Sequence, residues 1–312
     1  MRLEKWHWRR VMAVALTVMA ALAAATTAGA RVDRAATTTR SAQPTIILGS
    51  KNFSEEYVLG ELYRQALVAK GYNVTYKKSI GSTEIIHTAL TSGKINMYPE
   101  YTGTDLTTIF HVANPPKTAL AVYNLLKQKE AKDGNVLFTQ TPFFDSDEIG
   151  VLTKNAKKYH LVNVGDLKKV PSVTIGGFPE FKTRAQGLVG LHKVYGLTNL
   201  TFKSYSTIPV YQGLKSGDLF AADVFSTDPP LASKTTYTVL KDTKHLFGFQ
   251  YVAPIVSKKL ADALGPKFRQ TVDAVSKLLT LPAIQAMNDA VYNQKADPKD
   301  VATKFLKANH LL

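Results

Sequence analysis

The sequence predicts an α/β protein with two lobes and a ligand cleft between them. Short apolar runs alternate with stretches of helical periodicity, at a spacing that implies parallel strands joined by right-handed crossovers. The alternation occurs in two blocks, residues 45–98 and 164–246, and helices follow the second block. Hydrophobic residues make up 45% of the 312 residues and charged residues 20%, which is typical of a globular protein with a sizeable core. A cleft between two such lobes is the expected place for a small ligand.

The first block begins with a buried strand at 45–48 and a helix that starts at Ser54. Serine is a good N-cap, and Glu55 and Glu56 suit the positive end of a helix. Apolar residues then recur at helical spacing until Gly71, which ends the helix. The other predicted elements of this part are strands at 73–78 and 95–98 and helices at 83–91, 104–110 and 117–132.

The second block follows a predicted strand at 148–153. Its predicted elements are strands at 173–175, 201–203 and 220–224 and helices at 183–195 and 209–216. A strand at 251–257 leads into three helices, 266–279, 282–293 and 298–308, each of which opens at or near a proline. We therefore predict a first lobe of residues 44–147 and 256–312 and a second lobe of residues 148–255. The two crossings between lobes are expected near 148–153 and 250–257.

The first 30 residues have the pattern of an export signal. Basic residues between Arg2 and Arg10 precede an apolar run at 11–25, and Ala28-Gly29-Ala30 fits the small-x-small cleavage rule. A permanent anchor stays open as the alternative, because the run is at the short end of the ~20 apolar residues that a spanning helix needs. Residues 31–43 are polar and read as a flexible linker. The chain has no cysteine, which excludes disulfides and a lipid-modified N-terminal cysteine. We expect a secreted, extracytoplasmic protein that is not a lipoprotein.

The net charge is +15, and residues 44–312 supply +10 of it through 32 basic and 22 acidic residues. The lysines are scattered and form no run of five or six like charges, so they fit a solvated surface better than a nucleic-acid footprint. We predict no nucleic-acid partner. A basic protein that adheres to an anionic surface is kept as an alternative function.

The short motifs of common enzyme classes are absent: the chain has no G-x-S-x-G, H-E-x-x-H, P-loop or G-x-G-x-x-G. Its seven histidines are spread out and lack metal-ligand spacing. We therefore predict no catalytic residue, no metal and no cofactor. An exported enzyme that uses the same cleft stays open as an alternative, since a fold does not determine a function.

Two segments stand where a strand ends and a helix begins. Residues 49–56 place Lys51 after the first strand, and residues 98–104 offer two tyrosines, a glycine and two threonines. Ligands bind at the carboxyl edge of parallel strands, and helix N-termini favour anions. Taken alone, Lys51 suits a solvated loop equally well, and Tyr101 suits a core position better.

Together, several segments resemble the osmoprotectant-binding proteins of ABC transporters, which bind glycine betaine, carnitine or choline. The resemblance covers residues from Thr45 to the C-terminus. Its strongest parts are GSKNFSEEYVLGELY at 49–63, IGSTE at 80–84, MYPEYTGTDL at 97–106, FKTRAQGL at 181–188 and FSTD at 225–228. The resemblance implies a type II periplasmic-binding-protein fold, with a ligand cleft between two lobes, two hinge crossings and an ABC permease as membrane partner. We expect the binding protein to be a monomer.

The resemblance also implies roles for individual residues. A quaternary ammonium group cannot donate a hydrogen bond, so aromatic faces stabilise its charge, and basic or hydroxyl groups bind the ligand carboxylate. The residues expected to bind the carboxylate are Lys51, Thr104 and Arg184, with Asn52 beside them and Asp147 orienting Arg184. The expected cage walls are Tyr101, Phe225 and Tyr251.

Three positions depart from the family pattern. Ile149 stands where one cage tyrosine is expected, Phe225 stands where another is expected, and Gln186 stands where the family often has aspartate. Isoleucine has no aromatic face, so the sequence predicts a three-walled cage with weaker affinity or a different solute. A lysine together with an arginine favours a zwitterion such as glycine betaine over a bare cation. The same fold binding another small amine or amino-acid-like solute stays open as the alternative.

Overall fold

The computed structural model describes residues 43–205, 209–233 and 235–312, without the side chain of Pro209. The predicted export signal at 1–30 and nearly all of the predicted linker at 31–43 lie outside the described residues. In the described part of the chain, no helix combines the length and the apolar character needed to cross a membrane.

Strands and helices alternate along the described chain. The strands are β1 (Ile46–Gly49), β2 (Val74–Lys77), β3 (Met97–Tyr101), β4 (Asn135–Leu137), β5 (Asp147–Leu152), β6 (Val173–Gly177), β7 (Leu200–Ser204), β8 (Ala221–Phe225), β9 (Tyr237–Leu240) and β10 (Val252–Ser257). The α-helices are α1 (Ser54–Ala69), α2 (Thr83–Thr91), α3 (Thr102–Thr108), α4 (Ala119–Lys132), α5 (Thr153–Tyr159), α6 (Leu188–Lys193), α7 (Pro209–Ser216), α8 (Lys258–Leu278), α9 (Leu281–Tyr292) and α10 (Pro298–Ala308). Short 3₁₀ helices lie at Val164–Lys169, Pro179–Lys182 and Pro229–Ala232.

The first sheet has the strand order β2-β1-β3-β10-β4. Strand β1 pairs in parallel with β2 and β3, which confirms the predicted strand–helix–strand crossovers. Strand β10 returns from the end of the chain and pairs antiparallel with β3 and β4. We call this sheet and its flanking helices the first lobe. Because β1 and β3 are parallel, α1 and α3 begin at the same edge of the sheet.

The second sheet has the order β7-β6-β8-β5-β9. Strand β6 pairs in parallel with β7 and β8, whereas β5 runs antiparallel to β8 and β9. This sheet and its helices form the second lobe, so the fold is the predicted two-lobed α/β architecture. The carboxyl ends of β6 and β8 lie at one edge, where the chain continues into Phe178 and ends β8 at Phe225.

Each sheet is covered on both faces by apolar side chains. In the first lobe, Tyr63 and Phe268 belong to one fully buried cluster, and Ile86 and Leu126 belong to another. The second lobe has two corresponding clusters. Burying one such side chain contributes roughly 1.5–3 kcal/mol, so each sheet is a stable platform for the loops at its edge.

The predicted helices at 83–91, 209–216 and 298–308 have the predicted bounds. The predicted helix at 183–195 is wrong in its first part, because α6 begins only at Leu188. The chain turns tightly at Gly187, where a Cβ atom would lie 2.1 Å from the carbonyl oxygen of Phe181. Helix α8 begins at Lys258, ahead of the predicted residue 266, and it kinks at Gly265, whose φ is 71°.

Three short elements, β4, β9 and α5, were not predicted from the sequence. Strand β4 has only 3 residues and β9 only 4. Helix α5 has the sequence TKNAKKY with a single buried residue, Ala156, so it lacks the apolar stripe that marks an amphipathic helix.

Candidate functional site

A cleft is lined by residues of both lobes. On the first-lobe side, the N-cap residues of α1, α2 and α3 line it, and none of these three caps its helix through a side-chain hydrogen bond. Free backbone N–H groups at helix starts favour negative charge, so this wall can receive an anionic group. The lining residues are Lys51, Asn52, Phe53, Ser82, Thr83, Tyr101, Thr104, Asp145, Asp147, Phe178, Glu180, Arg184 and Phe225.

Aromatic rings from both lobes meet in this cleft. The ring centroid of Phe53 lies 6.4 Å from that of Phe178 and 6.4 Å from that of Phe225, and the last two lie 6.1 Å apart. The three centroids therefore form a nearly equilateral triangle. A cation placed about 3 Å above its centre would lie about 4.7 Å from every centroid, within the ~6 Å at which a cation interacts with a ring whose face it meets. The arrangement can stabilise a positive charge that carries no N–H group.

The fourth ring, Tyr101, already interacts with a cation of the protein. Lys51 Nζ lies 4.3 Å from the Tyr101 centroid, and the Tyr101 centroid lies 6.0 Å from that of Phe53. The Tyr101 hydroxyl donates to Glu55 at 2.6 Å, which fixes the ring from behind. Burial, and then the charge of Glu55, raises the pKa of Tyr101 well above its usual value. Tyr101 is thus a fixed wall of the cleft with Lys51 bound to its ring.

Lys51 has its counter-charge inside its own lobe. Its ammonium forms an ion pair with Glu100 and also donates to Thr83 Oγ1 at 3.2 Å. The side chain of Lys51 is 5% exposed, and that of Glu100 is fully buried. The pair is dry and connects the end of β1 to β3. Lys51 is therefore a neutralised structural cation on the floor of the cleft.

Arg184 has its counter-charge in the opposite lobe. Its Nη2 lies 3.1 Å from Glu84 at the start of α2, and Nε donates to the same carboxylate at 3.3 Å. Partial burial alone would raise the pKa of Glu84, but the hydrogen bonds and charge of Arg184 outweigh it and lower that pKa to about 2. Among the described residues, Arg184 Nη1 makes no hydrogen bond, so it can serve a ligand.

Thr104 donates to Gln250, not into the cleft. Both its backbone N–H and its hydroxyl donate to Gln250 Oε1, at 2.7 and 2.9 Å. Gly103 allows this approach, since a Cβ atom there would lie 2.5 Å from the Phe249 carbonyl oxygen. Gln250 Nε2 in turn donates to Gln186 Oε1 at 3.3 Å, and Thr107 donates to the same oxygen at 2.8 Å. Gln186 thus joins the two lobes through hydrogen bonds between uncharged groups.

Carboxyl groups line the remaining part of the cleft. Burial raises the pKa of Asp147, while the charge of Arg184 acts in the opposite direction. Burial, followed by the charge of Asp147, raises the pKa of its neighbour Asp223 well above its usual value. Burial, followed by the charge of Glu55, also raises the pKa of Asp145 well above its usual value. The cleft is therefore more acidic than the lysine and arginine in the sequence suggested.

Glu55 connects the two lobes behind the rings. Its carboxylate accepts from Tyr101 at 2.6 Å, from Thr227 of the second lobe at 2.7 Å, and from Asn288 of α9 at 2.6 Å. Burial raises the pKa of Glu55, and these three hydrogen bonds act against that effect. The described structure thus has its lobes in direct contact.

The structure brings most of the predicted site residues together. Seven of the eight line the cleft: Lys51, Asn52, Tyr101, Thr104, Asp147, Arg184 and Phe225. Tyr251 does not; it pairs with Phe144 on the crossing between the lobes, with ring centroids 5.6 Å apart. Its predicted role as a cage wall is therefore not supported. Glu84 makes the hydrogen bonds that hold Arg184, and the charge of Asp147 also acts on Arg184, so the predicted role of Asp147 in orienting Arg184 stays a prediction.

Two rings of the cleft were missed by sequence reasoning. Phe53 lies inside the motif at 49–56 that was singled out, and Phe178 directly follows β6. The rule that ligands bind where strands end applies to Phe178 as it does to Tyr101. Ile149 is fully buried in the second-lobe core and is not among the residues that line the cleft, and the weaker affinity expected of a three-walled cage stays a prediction. Phe53 and Phe178 supply the aromatic surface instead.

Comparison with known proteins adds independent findings. Residues 44–308 match the sequence profile of a family described as the substrate binding domain of ABC-type glycine betaine transport system. The chain is similar to the glycine-betaine-binding protein of Pseudomonas aeruginosa, with 31% identity over 280 residues, covering 86% of this chain and 89% of that protein. It is also similar to the ergothioneine transport permease/ergothioneine binding protein EgtU of Helicobacter pylori, with 27% identity covering 84% of this chain and 47% of that protein.

A solved structure described as a glycine betaine/carnitine/choline ABC transporter has the same fold. It superposes with a TM-score of 0.68 at 26% sequence identity, covering 85% of this chain and 99% of that chain. The chain thus spans nearly all of the first relative and of this structure, and about half of the Helicobacter protein.

Proposed function

Because this chain belongs to the family of substrate-binding domains of ABC-type glycine betaine transport systems, we propose that it is the extracytoplasmic solute-binding component of an ABC importer. Its solute is a quaternary-ammonium zwitterion of the glycine-betaine type. The observation that carries this proposal is the triangle of phenylalanine rings contributed by both lobes at the cleft.

The rings suit the ammonium end of such a solute. A trimethylammonium group has no N–H to donate, so only aromatic faces and carboxylates compensate for the water it loses. Each ring contributes about 0.5–2 kcal/mol, and more when the site is dry. Phe53 comes from one lobe and Phe178 and Phe225 from the other, so the head group itself would bring the lobes together.

The carboxylate end has two sources of donors in the same cleft. Arg184 has Nη1 available, and the uncapped starts of α1 and α2 present backbone N–H groups. The side chain of Asn52 lines the cleft beside them. A zwitterion would thus lie with its methyl groups on the rings and its carboxylate towards Arg184.

A solute without a carboxylate is the second candidate. Both cations of the cleft are already paired, Lys51 with Glu100 and Arg184 with Glu84, while Asp145 and Asp147 line the same space. This arrangement, with both cations neutralised and carboxyl groups beside them, favours a plain cation, such as choline or another small amine, over a zwitterion. An amino-acid-like solute would need the same free donors as glycine betaine.

The proposal includes a hinge. Asp145 N donates to the Gln250 carbonyl oxygen at 3.0 Å, and Phe144 bridges to Tyr251, so the two crossings run side by side. Strand β10 pairs with the first sheet from Val252 onward, so the lobe boundary predicted after residue 255 is better placed near Gln250. Solute binding would favour the closed form, which docks as a monomer on a membrane permease and catalyses no reaction.

Isothermal titration of the purified protein tests the proposal. Glycine betaine, carnitine and choline are compared with glycine, which lacks the methyl groups. We expect binding of the methylated solutes and none of glycine, with glycine betaine ahead of choline if the carboxylate is recognised. Phe178→Leu should weaken binding by about tenfold, in line with the loss of one ring. The control Phe305→Leu changes a phenylalanine of α10 outside the cleft and should bind normally. No heat with any quaternary ammonium compound would reject the proposal.

A further inference from the structure

We propose that His87, Asp105 and Glu130 form a binding site for a divalent transition metal ion of the zinc type, inside the first lobe and apart from the cleft. The three residues lie on three different helices, α2, α3 and α4. One ligand atom from each lies within 4.8 Å of the others. Along the chain they are far apart, which is why histidine spacing did not reveal them.

The distances suit one shared ion. His87 Nδ1 lies 3.9 Å from Asp105 Oδ1 and 3.8 Å from Glu130 Oε1. Zinc binds nitrogen and oxygen ligands at about 2.0–2.2 Å, so tetrahedral ligand atoms lie roughly 3.3–3.6 Å apart. A contraction of a few tenths of an ångström would bring His87 Nδ1 to that spacing from both carboxylates.

The same atoms lack hydrogen-bond partners although they are buried. His87 Nδ1, both carboxylate oxygens of Asp105 and Oε1 of Glu130 are in this state among the described residues. Asp105 and Glu130 are fully buried, and the side chain of His87 is 10% exposed. A buried polar atom without a partner costs about 1–3 kcal/mol, so four in one place call for an explanation.

A cation explains them better than a proton does. A proton shared between Asp105 and Glu130 satisfies one oxygen of each and leaves His87 Nδ1 and the second Asp105 oxygen unpaired. A metal ion with Asp105 as a bidentate ligand contacts all four atoms at once. Neutral imidazole with two carboxylates is a ligand set that suits Zn²⁺, and water would complete the coordination.

The surroundings support the ligands. Asn135 Nδ2 donates to the other oxygen of Glu130 at 2.7 Å, which directs Oε1 toward His87 and Asp105. The ring of Phe110 meets the His87 ring edge-on at 6.1 Å. The exposed fraction of His87 leaves a path by which an ion can enter. The Asn135 hydrogen bond is the kind of orienting contact that holds a carboxylate ligand of a metal ion.

The ion would stabilise the first-lobe wall of the cleft. Helix α2 carries Thr83 and Glu84 at its start, and α3 carries Thr104. An ion held between α2, α3 and α4 fixes the relative position of these residues. The site would therefore be structural, and metal binding should raise the melting temperature of the protein without any solute present.

The test uses protein without an affinity tag, stripped with EDTA, and ZnCl₂ as the probe. Competition with a chromogenic chelator should show one site per chain. His87→Gln and Glu130→Gln should weaken Zn²⁺ binding by more than the about 10–100-fold that loss of a supporting residue costs. His111→Asn removes an exposed histidine and should leave binding unchanged. Equal affinity in His87→Gln and the parent protein, or no zinc binding by the parent, would overturn the proposal.

A second measurement does not depend on variants. Crystals of the parent protein soaked in ZnCl₂ and measured at the zinc absorption edge should show an anomalous peak within bonding distance of His87, Asp105 and Glu130. Peaks confined to exposed histidines, with none between α2, α3 and α4, would show that the two carboxyl groups share a proton instead.

Discussion

Lys51 and Arg184 lie on opposite walls of one cleft, and they differ in the origin of their counter-charge. Lys51 pairs with Glu100 of its own lobe in a buried environment. Arg184 pairs with Glu84 of the other lobe, where the side chains are 20% and 43% exposed. From sequence, both were expected to bind the same ligand carboxylate.

The difference separates a structural role from a role in closure. The Lys51–Glu100 pair does not span the lobes, so opening of the cleft leaves it intact. The Arg184–Glu84 pair spans them, so it must break whenever the lobes separate. A solute carboxylate at Arg184 would compete with, or add to, an ion pair that already favours the closed form.

The largest effect should come from removing the buried cation. Lys51→Met leaves Glu100 buried without its partner, and breaking a buried pair in this way costs about 3–5 kcal/mol. Urea unfolding measures the loss. The double variant Lys51→Met/Glu100→Gln removes both charges and should recover most of the stability. If Lys51→Met were as stable as the parent, Lys51 would not be the structural cation described above.

The next largest effect is the pH dependence of folding stability that Glu56, a neighbour of Lys51, should cause. Burial raises the pKa of Glu56 to about 8, while the charge and the backbone N–H of Lys51 act to lower it. An acid with a raised pKa in the folded state holds its proton there, so folding stability falls as pH rises from 4.5 through about 8. Glu56→Gln should remove this fall, on the order of 3 kcal/mol between pH 5 and 9. The prediction would be wrong if the free energy of unfolding changed equally between pH 5 and pH 9 in Glu56→Gln and in the parent protein.

The smallest effect on stability is expected on the Arg184 wall. Arg184→Ala should lower the free energy of unfolding by less than about 1 kcal/mol, because the ion pair is partly exposed. It should nevertheless weaken solute binding by more than about tenfold, or 1.4 kcal/mol. Small-angle X-ray scattering should show a larger radius of gyration. Glu84→Gln should open the protein in the same way.

The pH response of this pair has the opposite sign to that of Glu56. The pKa of Glu84 is lowered to about 2, so the pair stabilises the closed form above pH 4.5 and is lost as the pH falls from there toward 2. A Glu180→Gln variant, which changes another carboxylate of the cleft, should keep the parent's scattering profile at pH 7. If Glu84→Gln stayed closed at pH 7, contacts other than the Arg184–Glu84 ion pair would be sufficient to hold the lobes together.

The sequence predicted which residues line the cleft better than it predicted which residues they pair with. Strand ends and helix starts located Lys51 and Tyr101, because the edge of a parallel sheet is a property of local pattern, whereas Phe225 was assigned through the family resemblance. The partner of Lys51 is 49 residues away and that of Arg184 is 100 residues away, and nothing in the pattern indicates such pairs. The role proposed for Lys51 therefore changed once its partner was known, while Arg184 keeps its proposed role at the solute carboxylate.

The same limit explains the other differences. Helices with a proline at their start and an apolar stripe were predicted well, whereas α5 has no such stripe. Tyr251 and Ile149 were assigned through their alignment with the family pattern, and neither is among the residues that line the cleft. His87, Asp105 and Glu130 meet only because α2, α3 and α4 pack together, which no spacing rule expresses.

Glu55 has one further consequence, for the end of the chain. Asn288 of α9 donates a hydrogen bond to this carboxylate. Helix α10 belongs to the same hydrophobic core as α1. Truncation before α9 would therefore deprive Glu55 of one donor and leave the Tyr101 ring less firmly oriented. The final 30 or so residues are thus no dispensable tail, since the pocket wall depends on them from behind.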